Sequence, residues 1–303
     1  MKNITYSFII PHKNCPDLLQ RCVNSIPRRD DVQIIVVDDD SDPEIVDWNS
    51  FRFQDERCIE LVLTKGGHSA GAARNEGLKK AVGKWILFAD SDDYYVDGFM
   101  EVLDSVSDVD VLFFNYQCID DKSKKKLFSK KDQIFEEYEQ DDSKLEKIRY
   151  FNSPVIKMVA KVFLDKYHIN FEDVILGNDI WYSYQIGFFA KDCKVTSKKL
   201  YVYAINNKSI TTFRSVAKDV VQIETYVKQN AFFDYIGHPE WHISLPGMIK
   251  FHWLRSNQKV KYAFALLANT WRIYKIRNKY VEGIRQSEIA VQSPTGVQES
   301  SKC

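Results

Sequence analysis

The sequence predicts an α/β fold with a mostly parallel sheet flanked by helices, and three observations predict it. Short apolar runs alternate with helical patterns through the first half of the chain. The runs are apolar at consecutive positions, so both faces of each strand are covered, as in parallel sheets between helical layers. Four polar clusters, His12 to Asn14, Asp38 to Ser41, Lys65 to His68 and Asp90 to Asp93, punctuate the same half. Ligands of such sheets bind beyond the carboxyl ends of the strands, where these clusters fall.

Tyr6 to His12 reads as the first strand. Asn14-Cys15-Pro16 opens a helix in which Leu18, Leu19, Cys22, Val23 and Ile26 recur at helical spacing until Pro27. Val32 to Val37 and Ile59 to Leu63 are the next strands. Ser69 is placed to cap a helix over 70–82, stopped by Gly83. Trp85 to Ala89 is a strand, Phe99 to Val106 a helix and Val109 to Asn115 a further strand. Residues 119–148 are charged and poor in apolar residues, and read as an exposed excursion. Beyond Phe151, Val159, Val162 and Phe163 suggest a helix, Ile180, Trp181 and Tyr184 another, Lys199 to Ile205 a strand and Lys218 to Gly237 a helix.

A chain of 303 residues suits one large domain with an appendage. The balance of 42 basic and 42 acidic side chains argues against a whole-surface polyanion binder, so no nucleic acid partner is expected. Six scattered cysteines (15, 22, 58, 118, 193, 303) show no zinc spacing and read as free thiols. Met1 to Ile4 carries no leader signature, and no apolar stretch approaches the ~20 residues that span a bilayer.

Asp90-Ser91-Asp92-Asp93 sets three carboxylates within four residues. Like charges this close raise one another's pKa, and a hard cation relieves them. An Asp-x-Asp after a strand therefore reads as a metal–diphosphate site, or as an acidic turn capping the next element. Asp38-Asp39-Asp40-Ser41 poses a similar choice, since a strand-end carboxylate can accept hydrogen bonds from a base or ribose. Gly66 to Gly71 suits either close approach to a ligand or a flexible turn. Neither a dinucleotide Gly-x-Gly-x-x-Gly after the first strand nor a P-loop is present.

Four stretches together resemble family 2 glycosyltransferases of the GT-A fold: Ser7 to Asn14, Ile34 to Ser41, Ser69 to Leu78 and Gly83 to Tyr94. They occur in the family's order and spacing. The resemblance covers residues 5–115 closely, 150–215 more loosely and nothing beyond. It implies a nucleotide-sugar-binding half over 1–118 and an acceptor half over 149–215, while composition and periodicity add the excursion over 119–148, a basic aromatic helical extension over 216–285 and a disordered tail over 286–303.

The resemblance also implies roles. Pro11 would line a uracil pocket with its backbone, and Asp39 would bond the uracil ring, with Asp38 its structural neighbour. Arg74 would sit near the nucleotide and the carboxylates. Asp90 and Asp92 match the Asp-x-Asp, with Asp92 ligating Mn²⁺ or Mg²⁺ and Asp93 capping the turn. Family members carry Glu-Asp before an aromatic-rich helix. Asn178-Asp179 stands there, leaving Asp179 as general base or as a first-turn cap, with Asn178 capping the helix and its N-terminus keeping Asp179 ionised. Ser209 to Thr212 and Arg214 resemble a loop closing over the donor diphosphate.

The implied reaction moves a sugar from a UDP-sugar to a hydroxyl of a glycan or lipid-linked saccharide, with inversion, in bacterial surface polysaccharide synthesis. The alternatives are a non-catalytic nucleotide-sugar- or glycan-binding relative and a nucleotidylyltransferase, though the latter's Gly-rich signature is missing after strand one. The first strand ends without a carboxylate, which argues against a phosphatase that uses Asp-x-Asp as nucleophile. A receiver-type module would occupy only about 120 residues and leave the second half unexplained.

The neutral total conceals an asymmetry. Residues 249–285 hold nine Lys/Arg and one acid, Glu282, so the rest of the chain carries an acidic excess of eight. This basic aromatic segment reads as a helical lid or as a pair of helices on an anionic membrane surface, which would place the protein in the cytoplasm at the inner face of the membrane.

Overall fold

A computed structural model describes residues 3–67, 69–129, 132–139, 141–206 and 215–292. The chain divides into two compact units, Met1–Ser209 and Ile210–Cys303.

In the first unit, β1 (Tyr6–His12) is buried along its whole length. It pairs in parallel with β2 (Val32–Asp38) on one side and β4 (Trp85–Phe88) on the other, and β2 pairs with β3 (Ile59–Leu63). Beyond β4 come β8 (Lys157–Ala160), β6 (Val111–Asp120), β9 (Cys193–Ile205) and the short β5 (Tyr94–Tyr95), with β7 (Lys126–Leu127) beside β6. β8 lies antiparallel between β4 and β6, while β6 and β9 are parallel. Six of the nine strands formed by the described residues therefore run the same way.

The helices α1 (Pro16–Asn24), α2 (Ala70–Lys80) and α3 (Phe99–Asp104) fall close to their expected places. Ser69 caps α2 by accepting the Ala72 N–H at 3.1 Å. α2 packs tightly at both ends. A Cβ on Gly77 would meet Ile9 Cγ2 at 2.3 Å, and one on Gly71 would meet the Glu172 carbonyl at 2.3 Å. The small residues of Ala70-Gly71-Ala72-Ala73 thus let the helix sit against both β1 and the 171–178 segment.

Two expectations change. Val159 lies on β8, not on a helix, and the helix that follows, α6 (Lys161–Lys166), buries Phe163 while exposing Val162. The 119–148 segment holds the end of β6, β7, α4 (Gln133–Tyr138) and α5 (Leu145–Arg149), whose Phe135 and Ile148 are fully buried. One apolar residue per turn suffices to pin such short helices to a core, although the rest of their surface is charged.

α7 (Asn178–Phe189) is anchored by aromatic packing: Tyr182 stacks on Phe171 at 4.0 Å, and both rings meet Phe88 of β4 edge-on. This fixes the first turn of α7 over the end of β4.

The second unit comprises α8 (Val216–Tyr235), α9 (Leu245–Arg255) and α10 (Lys259–Gln292). His252 and Asp219 form a buried hydrogen bond of 3.0 Å, and Arg272 pairs with Glu224 at 2.7 Å. α10 continues seven residues into the expected disordered tail, and 293–303 lie outside the described residues. No described helix is long and apolar enough to cross a membrane.

Candidate active site

The site is built at the carboxyl ends of β1, β2 and β4. Pro11 pairs with Val37, and the Asp39 N–H donates to the His12 carbonyl at 2.9 Å, so the two residues expected to meet a base sit side by side. Asp38 turns inward: it accepts from His12 Nδ1 at 2.8 Å and from the Ser41 backbone N–H at 3.0 Å. His12 Nε2 accepts the Cys15 N–H at 3.1 Å, so its proton sits on Nδ1 and faces Asp38. Burial opposes the charge of Asp38, but the bonds from His12 and Ser41 prevail and hold its carboxyl below the usual range. Asp38 is thus a structural strut beside Asp39. Lys13 Nζ reaches the Asp39 carbonyl at 2.8 Å and its carboxylate at 3.7 Å.

Gly66 and Gly67 adopt φ of +93° and +47°, a region that favours glycine. A Cβ on Gly67 would meet Lys13 Nζ at 2.9 Å. His68 lies outside the described residues, as do Ser209 to Thr212 and Arg214.

After β4, the chain turns through Asp90-Ser91-Asp92-Asp93. The Asp90 N–H donates to Tyr201 Oη at 2.9 Å, and that hydroxyl donates to Asp93 at 3.1 Å. Asp93 also accepts the Ala204 N–H at 2.8 Å. It therefore ties the turn to β9 instead of capping the turn. Burial, with the charges of Asp90 and Asp92, pushes its carboxyl well above the ordinary range. The Asp92 side chain accepts from Asn206 at 3.2 Å, and its carbonyl accepts from Arg21. Burial and the neighbouring Asp90 raise Asp92 as well.

Arg74 joins the two halves of this unit. From α2 it donates to Asp90 Oδ1 at 2.6 Å and to Asn178 Oδ1 at 3.0 Å, with its guanidinium 5.2 Å from the Phe171 ring centre. Asn178 is hence not the cap of α7. Gly177, at φ +72°, holds that position, and the Asn178 side chain bridges Arg74 and the Val174 carbonyl. Asp179 sits beside it in the first turn. Burial raises the Asp179 carboxyl, opposed by Arg74 and reinforced by Asp90. The expected effect of the helix N-terminus is outweighed by desolvation.

The structure therefore gathers Arg74, Asp90, Asp92 and Asp179 around one junction, with Pro11 and Asp39 on the neighbouring strands. Among the described residues no group of three or more His, Cys, Asp or Glu forms a metal cage. Mg²⁺ and Mn²⁺ commonly take one or two protein carboxylates and complete their shell with phosphate oxygens, a demand that Asp92 beside Asp90 could meet. A cation there would relieve the like charges that raise Asp92.

Sequence reasoning missed Tyr201, Asn206, Arg21 and Lys157. Tyr201 lies in the second half of β9 and Asn206 directly follows that strand, and their signal was the run Tyr201-x-Tyr203 followed by Asn206 at a strand end. Lys157 stood out as a charge inside the apolar run Val155 to Ala160.

Known proteins resemble this chain in sequence and in fold. The chain is 38% identical over 95 residues to the poly(ribitol-phosphate) beta-glucosyltransferase of Bacillus spizizenii, covering 29% of this chain and 15% of that protein. It is 28% identical over 128 residues to the UDP-Glc:alpha-D-GlcNAc-diphosphoundecaprenol beta-1,3-glucosyltransferase WfgD of Escherichia coli, covering 41% and 50%. Over 224 residues it is 25% identical to the putative glycosyltransferase EpsH of Bacillus subtilis, covering 69% and 63%. The chain thus spans between 15% and 63% of the length of these relatives. Among solved structures, S. aureus TarS 1-349 in complex with UDP-GlcNAc superposes with a TM-score of 0.60 at 17% identity, over 95% of this chain and 91% of that one. That likeness establishes the GT-A type fold. The family model described as Glycosyl transferase family 2 matches residues 7–166, more than half of the chain, and the protein belongs to that family.

Proposed function

We propose that this protein transfers a sugar from a UDP-sugar to an acceptor hydroxyl with inversion, in the assembly of a bacterial surface polysaccharide. The observation that carries the reading is the Arg74 bridge. It ties the strand-end carboxylate Asp90 to Asn178, the neighbour of Asp179 in α7, within a GT-A fold that in TarS accepts UDP-GlcNAc.

In this reading Pro11 and Asp39 receive the uracil ring, and Arg74 and Asp90 border the diphosphate. Asp92 would hold Mn²⁺ or Mg²⁺ against the diphosphate oxygens. Such an ion supplies neutralisation of the departing charge. Asp179 accepts the proton of the attacking hydroxyl, and its raised pKa keeps it a stronger base than an exposed carboxylate. The remaining work is placement of an oxocarbenium-like centre between hydroxyl and diphosphate.

A thermal-shift panel of nucleotide-sugars with and without Mn²⁺ tests the donor class. UDP-sugars raise the melting temperature, because a ligand at 100 times its Kd adds about 2.7 kcal/mol to the folded state. Shifts with GDP- or dTDP-sugars and none with UDP-sugars would reject the uracil assignment.

The acceptor is read as a glycan or lipid-linked saccharide; the relative WfgD is named for an acceptor of the second kind, GlcNAc-diphosphoundecaprenol. Support for a membrane surface comes from α10. Val260, Phe264, Leu267, Trp271 and Tyr274 form an outward stripe, each about two-thirds exposed, while Tyr262 is fully buried on the opposite side. Lys259, Lys261, Lys275 and Arg277 flank that stripe. An apolar face rimmed by Lys and Arg suits the interface of an anionic bilayer. Binding to phosphatidylglycerol vesicles is expected at low salt, weakening as salt rises. No binding at low salt would remove this assignment.

A further inference from the structure

Lys157 is fully buried, yet no step of the proposed reaction uses it. A lysine amine in a core is costly unless its donors are all met. Here they are: Nζ donates to the Phe151 carbonyl at 2.7 Å, to the Ser153 carbonyl, and to Ser183 Oγ at 3.3 Å, with the Phe113 ring centre 5.7 Å away. Three oxygen acceptors match the three donors of an ammonium group.

Ser183 carries the second half of the argument. It lies on α7 four residues after Asp179, so the two side chains share one face of the helix, one turn apart. The amine bonded to Ser183 therefore stands about one helical turn from Asp179 along that face. The charges that face Asp179 are Arg74 on α2, Asp90 after β4 and Lys157 on β8. Arg74 is already held by Asp90 and Asn178.

We propose that Lys157 is a positioning residue for Asp179: its ammonium, tied to α7 through Ser183, is a counter-charge that acts beside Arg74 to favour the proton-accepting form of the carboxylate. The inference rests on Asp179 being the general base. Burial draws Lys157 down to about 7, and the Asp179 carboxylate is the opposing influence. Each group thus favours the charged form of the other.

The test is direct titration of Asp179. The full chain, metal-free and labelled with ¹³C at the Asp carboxyls, is followed by NMR against pH. The Asp179 signal is assigned by its loss in D179N. In K157M the midpoint moves up, the direction expected for loss of an opposite charge nearby. An unmoved midpoint in folded K157M overturns the proposal. Should K157M fail to fold, S183A is read instead. Removing one of the three acceptors is expected to give a smaller upward shift, and an unmoved midpoint there overturns the proposal equally. Turnover separates this from the base assignment. If D179N keeps full activity, Asp179 is not the base, whatever the titration shows. If D179N is inactive and K157M leaves the midpoint in place, the base stands and the role of Lys157 falls.

Discussion

Replacing Asp179 with Asn lowers turnover by about 100-fold or more while UDP affinity stays within about twofold. General-base catalysis by a positioned side chain contributes roughly 10²- to 10⁴-fold, and an amide cannot take the acceptor proton. Donor binding survives because the residue that connects α7 to the nucleotide side is Asn178, through Arg74, and not Asp179. The shape of the side chain is conserved, so the first turn of α7 keeps its geometry. The measurement is UDP release at saturating donor and acceptor, beside calorimetry of UDP binding. Equal loss of turnover and of UDP affinity would assign Asp179 to donor binding instead. The raised carboxyl also predicts the pH profile of the wild type. The base works only when ionised, so turnover falls as pH drops through a pKa above the ordinary carboxylate range, and the acid limb lies higher than an exposed Asp would place it.

The first four parallel strands were legible from the sequence for a simple reason. Each is an apolar-rich run of four to seven residues closed by polar or turn residues; β1, β2 and β4 leave that pattern because both their faces are covered, whereas β3 lies at the sheet edge with Leu61 and Leu63 exposed. β8 was not legible. Lys157 to Ala160 passes without a break into α6, so the strand has no punctuation and Val159 falls in with Val162 and Phe163 at helical spacing. The same limit applies to the site. Strand-end carboxylates announce themselves by position, so Asp39, Asp90 and Asp92 were visible as candidates. The partners that hold them were not, because they come from distant stretches. Tyr201 meets Asp90 and Asp93 from more than 100 residues away, and Asn178 meets Arg74 across a similar gap. Asp93 illustrates the consequence. On sequence alone it reads as a local cap, whereas its acceptor oxygens are taken by β9.

That division between Asp92 and Asp93 gives the second large prediction. Alanine at Asp92 abolishes the metal-dependent part of donor binding and leaves the fold intact. In the wild type, Mn²⁺ is expected to tighten UDP binding at least tenfold, about 1.4 kcal/mol. In D92A that gain shrinks to less than about twofold. Stability is preserved because the Asp92 carboxylate accepts one side-chain bond, from Asn206, and is itself raised by burial and by Asp90. Its removal relieves a repulsion. Asp93 behaves oppositely. Its two bonds join the turn to β9, so alanine there strands the Ala204 N–H and the hydroxyl proton of Tyr201 in a buried place, although the Tyr201 oxygen still accepts from the Asp90 N–H. Each orphaned group costs about 1–3 kcal/mol, and D93A therefore melts well below the wild type. Calorimetry of UDP with and without Mn²⁺, paired with melting curves, reads both variants. An undiminished Mn²⁺ effect in well-folded D92A would move the metal to another carboxylate, with Asp90 the next candidate because Arg74 already holds it at the same junction.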